Sequence, residues 1–522
     1  MADEIHDQAR EKIDAEILVL RERIRSLCSS RNNLSYIHRL PPEVMAQIFM
    51  QLQHLYRGKD KWATHLPRWI QVTRVSQRWR NIAQSCKTLY STILTRNLPY
   101  SQEMLKRSGC IALELVDGLN TRAARHRGTK EFQDLIVAAL PRVRSLSLDE
   151  QSSQALLPHL ETSNLVLDKV CVNHWESFTR TMFPNSLRYL YLEWCRFESY
   201  EWLFSLSNMV ELTLTADDLH PKSLALDTLL SILDGMPRLT SLRLWSVLDP
   251  GSTQVSRASP ITPKLQYLNI SEPLDSLVEC LPWLTFAPRF TLEITPGVSN
   301  STTNWTAFLE RVGQHIRASS MILRKADLSW IDMTLQRSTN ISCSEGVGQS
   351  PCLQIFASLE TKDLRSVWLK QAAVLPFDNV ETLTMGAYGT FDSADWDNSR
   401  WHLLPKLRQL DLRNDQTSVA YLEHLVGLER PLGETNRWFC SGGSASFPSL
   451  EELSLSDIHY DRYLKSNVQG ALDKRTKRGV KLRKLVFHDC SVSCDSIKQL
   501  SQVVDEVEQL GRRRTKRRTY LV

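Results

Sequence analysis

The chain has 522 residues, of which 42% are hydrophobic and 23% are charged. At about 150 residues per domain, this length predicts about three or four units and excludes one small domain. The composition excludes a largely disordered chain. The longest unbroken apolar run, Leu135 to Leu140, has six residues, whereas a membrane-spanning helix needs about twenty. The acidic start, Met1 to Asp7, lacks the features of a secretory signal. We therefore expect no membrane segment and a location inside the cell, in the cytoplasm, the nucleus or both.

Positive charge is concentrated at the C-terminus. The formal net charge is +6, and basic residues of the final segment account for all of it. The rest of the chain is therefore near neutral, which argues against nucleic-acid binding by the folded part, because phosphate recognition needs a concentrated basic field. Residues 511–522 are expected to form a disordered basic tail that acts as a nuclear import signal, an anion-binding arm or a solubilising end. Its basic residues are Arg512, Arg513, Arg514, Lys516, Arg517 and Arg518.

Residues 1–36 are expected to form an amphipathic or coiled-coil helix. Apolar residues recur here at alternating steps of four and three, Arg31 interrupts the series, and charged residues fill the other faces. Such a heptad stripe is typical of a coiled coil, although three heptads make a weak one. Two interpretations stay open: self-association through residues 13–34, or a single helix that packs on the next domain. The apolar positions are Ile13, Ile17, Leu20, Ile24, Leu27 and Leu34.

Two amphipathic helices are predicted between residues 37 and 95. The first begins at Pro42 and Glu43, because Pro41 and Pro42 fix an extended entry and then a favourable first helical position. Its broad apolar face comprises Val44, Met45, Ile48, Phe49 and Leu52. The second helix is predicted over residues 69–83, with one face that comprises Val72, Val75, Trp79, Ile82 and Ala83. About fifty residues with this little apolar area form a marginal domain, so part of the apolar surface is expected to bind a partner.

These residues resemble the F-box-like module, whose signature runs roughly L-P-x-E-(h)-x-x-x-I-F and then V-(S/C)-x-x-W-R-x-(I/L)-A. The upstream helix and the downstream segments 89–91 and 105–115 are similar to those of F-box proteins abundant in mushroom-type fungi. The stretch from Gln53 to Arg68 departs from the compact form of the module and is interpreted as a surface loop. The matching positions are Leu40, Pro41, Glu43, Val44, Ile48, Phe49, Val75, Ser76, Trp79, Arg80, Ile82 and Ala83.

The resemblance implies that this module docks on the Skp-type adaptor of a cullin ubiquitin ligase. In physical terms, a helical apolar patch with one aromatic anchor would insert into a helical groove. The alternative is that the same residues form only the core of a small helical domain. The implied adaptor-binding residues are Leu40, Pro41, Pro42, Glu43, Val44, Ile48, Phe49, Val75, Trp79 and Ile82.

From about residue 140, a phrase of apolar, two residues, apolar, one residue, apolar recurs ten times. The pattern resembles leucine-rich repeats, which implies short strands whose leucines point inward and whose intervening residue points outward. In that family an Asn or Cys follows the last leucine by three positions, and here only Cys195 and Cys490 match. The spacing is irregular, so a degenerate solenoid is expected over residues 96–510. The copies begin at Val143, Leu187, Met209, Leu239, Leu265, Leu364, Val380, Leu407, Leu450 and Leu482.

The phrase fades between about Pro273 and Leu364, although Phe290, Leu292 and Ile294 alternate as a strand would. Residues 338–350 are interpreted as a surface loop, and a last helix is predicted to end near Leu510.

The residues at the middle of each predicted strand share one face. Their mixture of Tyr, Trp, Arg and Asp favours a surface that binds a target protein, and the alternative is an ordinary solvated sheet face. The candidate target-binding residues are Tyr191, Arg243, Trp368 and Asp411. The full set comprises Ser147, Tyr191, Thr213, Arg243, Asn269, Trp368, Thr384, Asp411, Ser454 and Val486.

No common catalytic or phosphate-binding motif is present, and the 11 cysteines lack paired spacing, which favours reduced thiols. Cys490 and Cys494 follow His488, but a structural zinc site needs four ligands. We therefore expect no metal, no cofactor and no catalytic residue. The expected fold class is α plus α/β: an N-terminal heptad helix (1–36), a small helical F-box-like domain (37–95) and an irregular leucine-rich-repeat-like solenoid with a parallel sheet (96–510).

The function expected from both resemblances is a non-enzymatic substrate-recognition subunit of a Skp–cullin–F-box ubiquitin ligase. It would bind the adaptor, and through it the cullin, with the box, and an unidentified target with the repeats. Its mechanism is proximity, because binding both partners raises the effective concentration of the target at the ubiquitin carrier. The alternative is a leucine-rich-repeat scaffold or protein-binding module that does not engage a ligase. Nucleic-acid binding through the tail is a third possibility, and it predicts a steep dependence on salt.

Overall fold

The structure is a computed structural model. It describes residues 2–57, 68–94, 98–116, 130–148, 156, 159–160, 165–173, 183–216, 224–249, 259–295, 302–319, 322–323, 325–333, 336–344, 353–358, 375–386, 404–413, 447–456, 465–477 and 479–511. Helices alternate with strands that are mostly parallel, which confirms the expected mixed class. The chain divides into two compact units, Met1–Arg196 (unit 1) and Phe197–Val522 (unit 2).

Unit 1 begins with three helical segments. They are helix α1 (Ala2–Asn33), a 3-10 turn (Tyr36–Arg39) and helix α2 (Pro42–Arg57). Helix α2 starts at the proline that the sequence indicates, and it continues through Arg57. The surface loop predicted from Gln53 onward is therefore wrong for residues 53–57, and residues 58–67 lie outside the described residues.

The helix predicted over residues 69–83 is interrupted. A 3-10 turn spans Arg68–Arg74, and helix α3 begins only at Gln77 and ends at Ser85. Two physical causes explain the interruption. Val72, Thr73 and Val75 are β-branched and lose side-chain freedom in a helix, and the Ser76 hydroxyl accepts the backbone N–H of Trp79 at 3.2 Å, which makes Ser76 an N-cap.

A parallel sheet completes unit 1. Its strands are β1 (Thr92–Leu94), β2 (Leu113–Val116), β3 (Val143–Leu148), β4 (Lys169–Asn173) and β5 (Tyr189–Cys195), and they pair in chain order. Helix α4 (Leu98–Ser108) follows β1 and helix α5 (Lys130–Ala139) follows β2. Such crossovers are what parallel strands require.

Unit 2 contains a longer sheet. Its first strands are β6 (Glu211–Ala216), β7 (Ser241–Trp245), β8 (Lys264–Ser271) and β9 (Thr285–Ile294), which pair in parallel. Its last strands are β13 (Thr382–Gly386), β14 (Gln409–Arg413), β15 (Glu452–Ser456), β16 (Lys484–His488) and β17 (Glu506–Leu510), also parallel. The helices between strands are α6 (Leu226–Asp234), α7 (Leu274–Cys280), α8 (Thr302–Ala318), α9 (Lys465–Lys477) and α10 (Cys494–Leu500).

An antiparallel insertion joins the two runs of unit 2. Strands β10 (Lys325–Met333), β11 (Gln336–Ser344) and β12 (Leu353–Ser358) lie in the order β9–β12–β11–β10–β13, with β11 antiparallel to both neighbours. The predicted surface loop is therefore wrong for residues 338–344, whereas residues 345–350 lie outside the described residues. The polar composition of β11 does not favour a strand. The strand forms because pairing on both sides supplies its backbone hydrogen bonds.

The copies of the apolar phrase coincide with strands of the structure. Nine of the ten copies fall on described strands or just before them, and their apolar side chains are buried. The copy at Leu364 lies outside the described residues. The sequence analysis missed β4, although Leu167, Val170 and Val172 carry the same phrase. The helix predicted to end near Leu510 is wrong, because α10 ends at Leu500 and β17 pairs with β16.

The ends of several strands share one turn. Trp194, Ser246 and Asp489 have φ values of 58°, 54° and 53°, and Gly511, which follows β17, has a φ of 78°. After Trp194, Ser246 and Asp489, the next residue is buried. The Cys195 thiol lies 3.7 Å from the Val172 carbonyl, and the Cys490 thiol lies 3.0 Å from the Leu455 carbonyl. The interpretation of these two cysteines as turn residues thus agrees with their burial and their backbone contacts.

Candidate functional site

The apolar residues of α2 divide into two groups. Met45 and Phe49 are 1% and 0% exposed and form the core of the helical module. Val44 is 38% exposed, and Ile48 is half-buried on the same outer side. Because residues four apart lie above one another on a helix, Val44 and Ile48 form a continuous apolar strip beside the entry at Pro41.

Two hydrogen bonds and one aromatic contact hold together the helices that carry this strip. The Arg78 guanidinium of α3 donates to the Leu40 carbonyl at 2.6 Å, which fixes the entry to α2 against α3. The Gln53 amide donates to the Leu89 carbonyl at 3.1 Å. The rings of Phe49 and Trp79 pack with their centroids 5.3 Å apart. The strip is thus carried by a rigid arrangement of two helices.

The predicted adaptor-binding residues occupy three environments. Pro41, Pro42, Glu43, Val44 and Val75 are exposed, with Val75 at 54%, and Leu40, Ile48 and Trp79 are half-buried. Phe49 and Ile82 are buried, Ile82 at 7%, so they cannot touch a partner in this conformation. This corrects their expected role, because side chains on the inner faces of α2 and α3 form the core. We call the surface of Leu40, Pro41, Val44, Ile48 and Val75 the box face.

The mid-strand residues lie side by side in register. In unit 1, Ser147, Cys171 and Tyr191 are neighbours on β3, β4 and β5, and the Lys169 ammonium lies 4.8 Å from the centre of the Tyr191 ring. In unit 2, one row contains Thr213, Arg243, Asn269 and Glu293, and a second row contains Thr384, Asp411, Ser454 and Val486. Strand alternation therefore places these side chains on one face of each run. Thr213, Thr384, Ser454 and Val486 are nevertheless buried there, which corrects their predicted place on a solvent-facing binding surface.

A polar cluster on β7, β8 and β9 is the most developed part of this face. The Arg243 guanidinium stacks 5.0 Å from the centre of the Tyr267 ring. The Tyr267 hydroxyl donates to Glu293 Oε2 at 2.6 Å, and the Asn269 amide donates to the same oxygen at 2.7 Å. Burial, followed by the hydrogen bond to Glu293, raises the pKa of Tyr267. The phenol therefore stays protonated at neutral pH, and the cluster is held as one unit beneath an exposed guanidinium.

The four candidate target-binding residues have different outcomes. Arg243 is exposed within the cluster, and Tyr191 is half-buried under Lys169. Asp411 is half-buried, accepts from Arg413 at 3.2 Å and accepts from Ser456 at 3.0 Å. Trp368 lies outside the described residues.

The sequence analysis missed three members of the unit 2 face: Trp245, Tyr267 and Glu293. Trp245 is 46% exposed at the end of β7. All three residues occupy outward positions of their strands, since Leu244, Leu268 and Leu292 beside them point inward. Reading every outward position of each strand, rather than only the middle one, would have found them.

Burial raises the pKa of the Cys171 thiol to about 11 and that of Cys280 to about 12, and a protonated thiol is a poor nucleophile. Within the described ranges, no group of three His, Cys, Asp or Glu side chains is placed to hold a metal ion. No described helix combines the length and apolar character that a membrane crossing needs. The basic residues Arg512 to Arg518 lie outside the described residues.

The chain matches no protein-family model, and the curated proteins contain no match to it. The box face and the polar cluster of unit 2 are the two surfaces of the described chain that combine exposed side chains with a fixed arrangement of their neighbours.

Proposed function

We propose that this protein is a non-catalytic substrate receptor of a Skp–cullin–F-box ubiquitin ligase. The box face would dock on a Skp-type adaptor, which connects it to the cullin, and the mid-strand face would hold the target protein. The observation that carries the proposal is the division of α2, whose core residues Met45 and Phe49 leave Val44 and Ile48 on the outside. An apolar strip exposed on a rigid helix is the usual form of a surface that enters a helical groove.

The unit 2 cluster supports the second half of the proposal. Arg and Trp are enriched among residues that dominate binding energy, and Arg243 and Trp245 are both exposed on β7. Tyr267, Asn269 and Glu293 hold the surroundings of Arg243 in place, so little conformational freedom is lost on binding. The target itself is expected to present an acidic or carbonyl-rich segment to the guanidinium.

The test is co-purification of the full chain with a Skp-type adaptor. Val44→Glu is expected to reduce adaptor binding by more than about tenfold, because it places a carboxylate against an apolar groove. Val75→Glu tests the part of the box face next to α3 in the same way. Both positions are exposed, so the variants are expected to keep the wild-type circular dichroism spectrum and melting temperature.

Gln47→Glu is the matched control. Gln47 is exposed one turn after Val44 on the same helix, so the variant adds the same charge beside the strip without replacing one of its apolar residues. Equal adaptor binding by Val44→Glu and Gln47→Glu, or no binding by the wild type, would contradict the proposal.

A second candidate is a protein-binding module that does not engage a ligase. The polar cluster favours it, because Arg243 and Trp245 present a binding surface that owes nothing to the box face. Under this candidate the wild type does not retain the adaptor, whereas a protein bound by the wild type is lost on Trp245→Ala.

A further inference from the structure

Helix α1 carries an apolar surface that neither the box face nor the mid-strand face uses. All described side chains from His6 to Cys28 are exposed. Within this segment the stripe of Ile13, Ile17, Leu20, Ile24 and Leu27 is between 38% and 60% exposed. With 32 residues, α1 is about 48 Å long. Helices are stabilised mainly by packing of an apolar face, so an exposed stripe of this length indicates a missing partner.

The order of residues along the stripe identifies the kind of partner. Ile17 and Ile24 take the first position of the heptad, and Ile13, Leu20 and Leu27 take the fourth, so residues 17–27 carry isoleucine at the first position and leucine at the fourth. Isoleucine at the first position with leucine at the fourth favours two parallel strands. Arg31 takes the next first position, which ends the apolar seam.

One pair of charges beside the seam is complementary between two copies of the helix. Glu16 precedes the first heptad position, and Arg21 follows the fourth position five residues later. In a parallel pair, these two positions of opposite helices face each other across the seam. Each Glu16 therefore meets Arg21 of the other copy, and twofold symmetry produces the contact twice.

We propose that α1 binds α1 of a second copy of this chain as a parallel two-stranded coiled coil. The proposal goes beyond substrate reception and stands on α1 alone, so it holds whether or not the box face binds an adaptor. Three heptads make a weak coil, so the dimer is expected to dissociate on dilution.

The first experiment measures the mass of the full chain by light scattering over a concentration series. The mass is expected to rise from 60.0 kDa towards twice that value. Ile17→Lys with Ile24→Lys is expected to hold the chain at the monomer mass at every concentration, because four ammonium groups would meet in the seam. The same variant is expected to bind a Skp-type adaptor as the wild type does.

The matched control is Leu18→Lys with Val19→Lys. These two apolar residues are 64% and 69% exposed and lie outside the seam, so the control also replaces two exposed apolar residues of α1 with lysine but leaves the seam intact. It is expected to dimerise like the wild type. A monomeric wild type, or an equal loss of the dimer in both variants, would overturn the proposal.

A second measurement checks the orientation. In a chain whose exposed Cys28, Cys110 and Cys494 are replaced by Ser, Leu27→Cys places one thiol at the fourth heptad position near the end of the seam in each copy. Parallel helices in register bring these thiols together, so mild oxidation is expected to link the two chains covalently. A dimer by mass that does not cross-link would overturn the parallel arrangement.

Discussion

Glu272 illustrates how a single buried carboxylate fixes a turn. It follows β8 and is 2% exposed, and its two oxygens accept the backbone N–H groups of Val247 and Leu248 at 2.8 and 3.1 Å. Burial raises the pKa of Glu272 from 4.5 to about 7, although the two hydrogen bonds oppose the shift. The residue therefore changes charge near neutral pH while it holds the turn after β7.

The raised pKa predicts that unfolding free energy depends on pH. Below pH 4.5 the carboxyl is protonated in both states and costs nothing. Between pH 4.5 and 7 the unfolded chain releases the proton while the folded chain retains it, so folding loses stability as pH rises. The loss is on the order of 3 kcal/mol above pH 7. We expect wild-type stability, measured by urea unfolding, to fall relative to that of Glu272→Gln between pH 5 and pH 8.5.

Glu272→Gln also loses one of the two hydrogen bonds, because an amide has one acceptor oxygen. The variant is therefore expected to be less stable than the wild type at pH 5, by about 1 kcal/mol, and the gap is expected to close or reverse at pH 8.5. Glu279→Gln removes an exposed carboxylate from α7, the helix that follows Glu272, and serves as the control. A gap that stays constant from pH 5 to pH 8.5 would contradict the assignment.

At the scale of elements, the sequence predicted the features that depend on residues within a single strand or helix. The strands with the leucine phrase lie where the sequence places them, since alternation and burial act within each strand. Helix α3 was mispredicted at its start, because periodicity continues through Val72 and Val75 while a cap at Ser76 interrupts the backbone. Strand β11 was missed because its partners β10 and β12 decide its state.

The cap at Ser76 has a measurable effect. Ser76→Ala removes the hydroxyl that accepts the Trp79 N–H, and we expect the variant to lose about 1 kcal/mol of unfolding free energy. The first turn of α3 carries Arg78, which holds Leu40, so fraying there is also expected to weaken adaptor binding, although less than Val44→Glu does.

Ser76→Asp is the control for the cap, because its carboxylate can accept the same N–H and favours a helix N-terminus. It is expected to retain wild-type stability in urea. Equal midpoints for Ser76→Ala and the wild type would show that α3 begins without help from the hydroxyl.

At the scale of the whole chain, the sequence indicated which surfaces exist but not which side chains form them. The apolar face of α2 could be predicted, whereas its division into Met45 and Phe49 inside and Val44 and Ile48 outside depends on how α3 packs. The cluster of Arg243, Tyr267 and Glu293 depends on the register of three strands, which no single strand specifies. Charge arithmetic needs no coordinates: residues 1–511 are near neutral, and the basic residues from Arg512 to Arg518 supply the excess.

A receptor that works by proximity needs two binding surfaces, and a substitution in one surface is expected to abolish only the binding of that surface's own partner. Val44→Glu is expected to lose the adaptor and keep the target, whereas Arg243→Ala with Trp245→Ala is expected to lose the target and keep the adaptor. Under the proposed function, either loss is expected to abolish ubiquitin transfer to the target, because the effective concentration at the ubiquitin carrier depends on simultaneous binding. Pull-downs of each variant, with retained proteins identified by mass spectrometry, measure the two losses.

Arg238→Ala removes an exposed arginine from the turn before β7 and is expected to keep both partners. If the box-face variant and the cluster variant lose the same proteins, the two surfaces do not act as separate sites and the proximity mechanism is wrong.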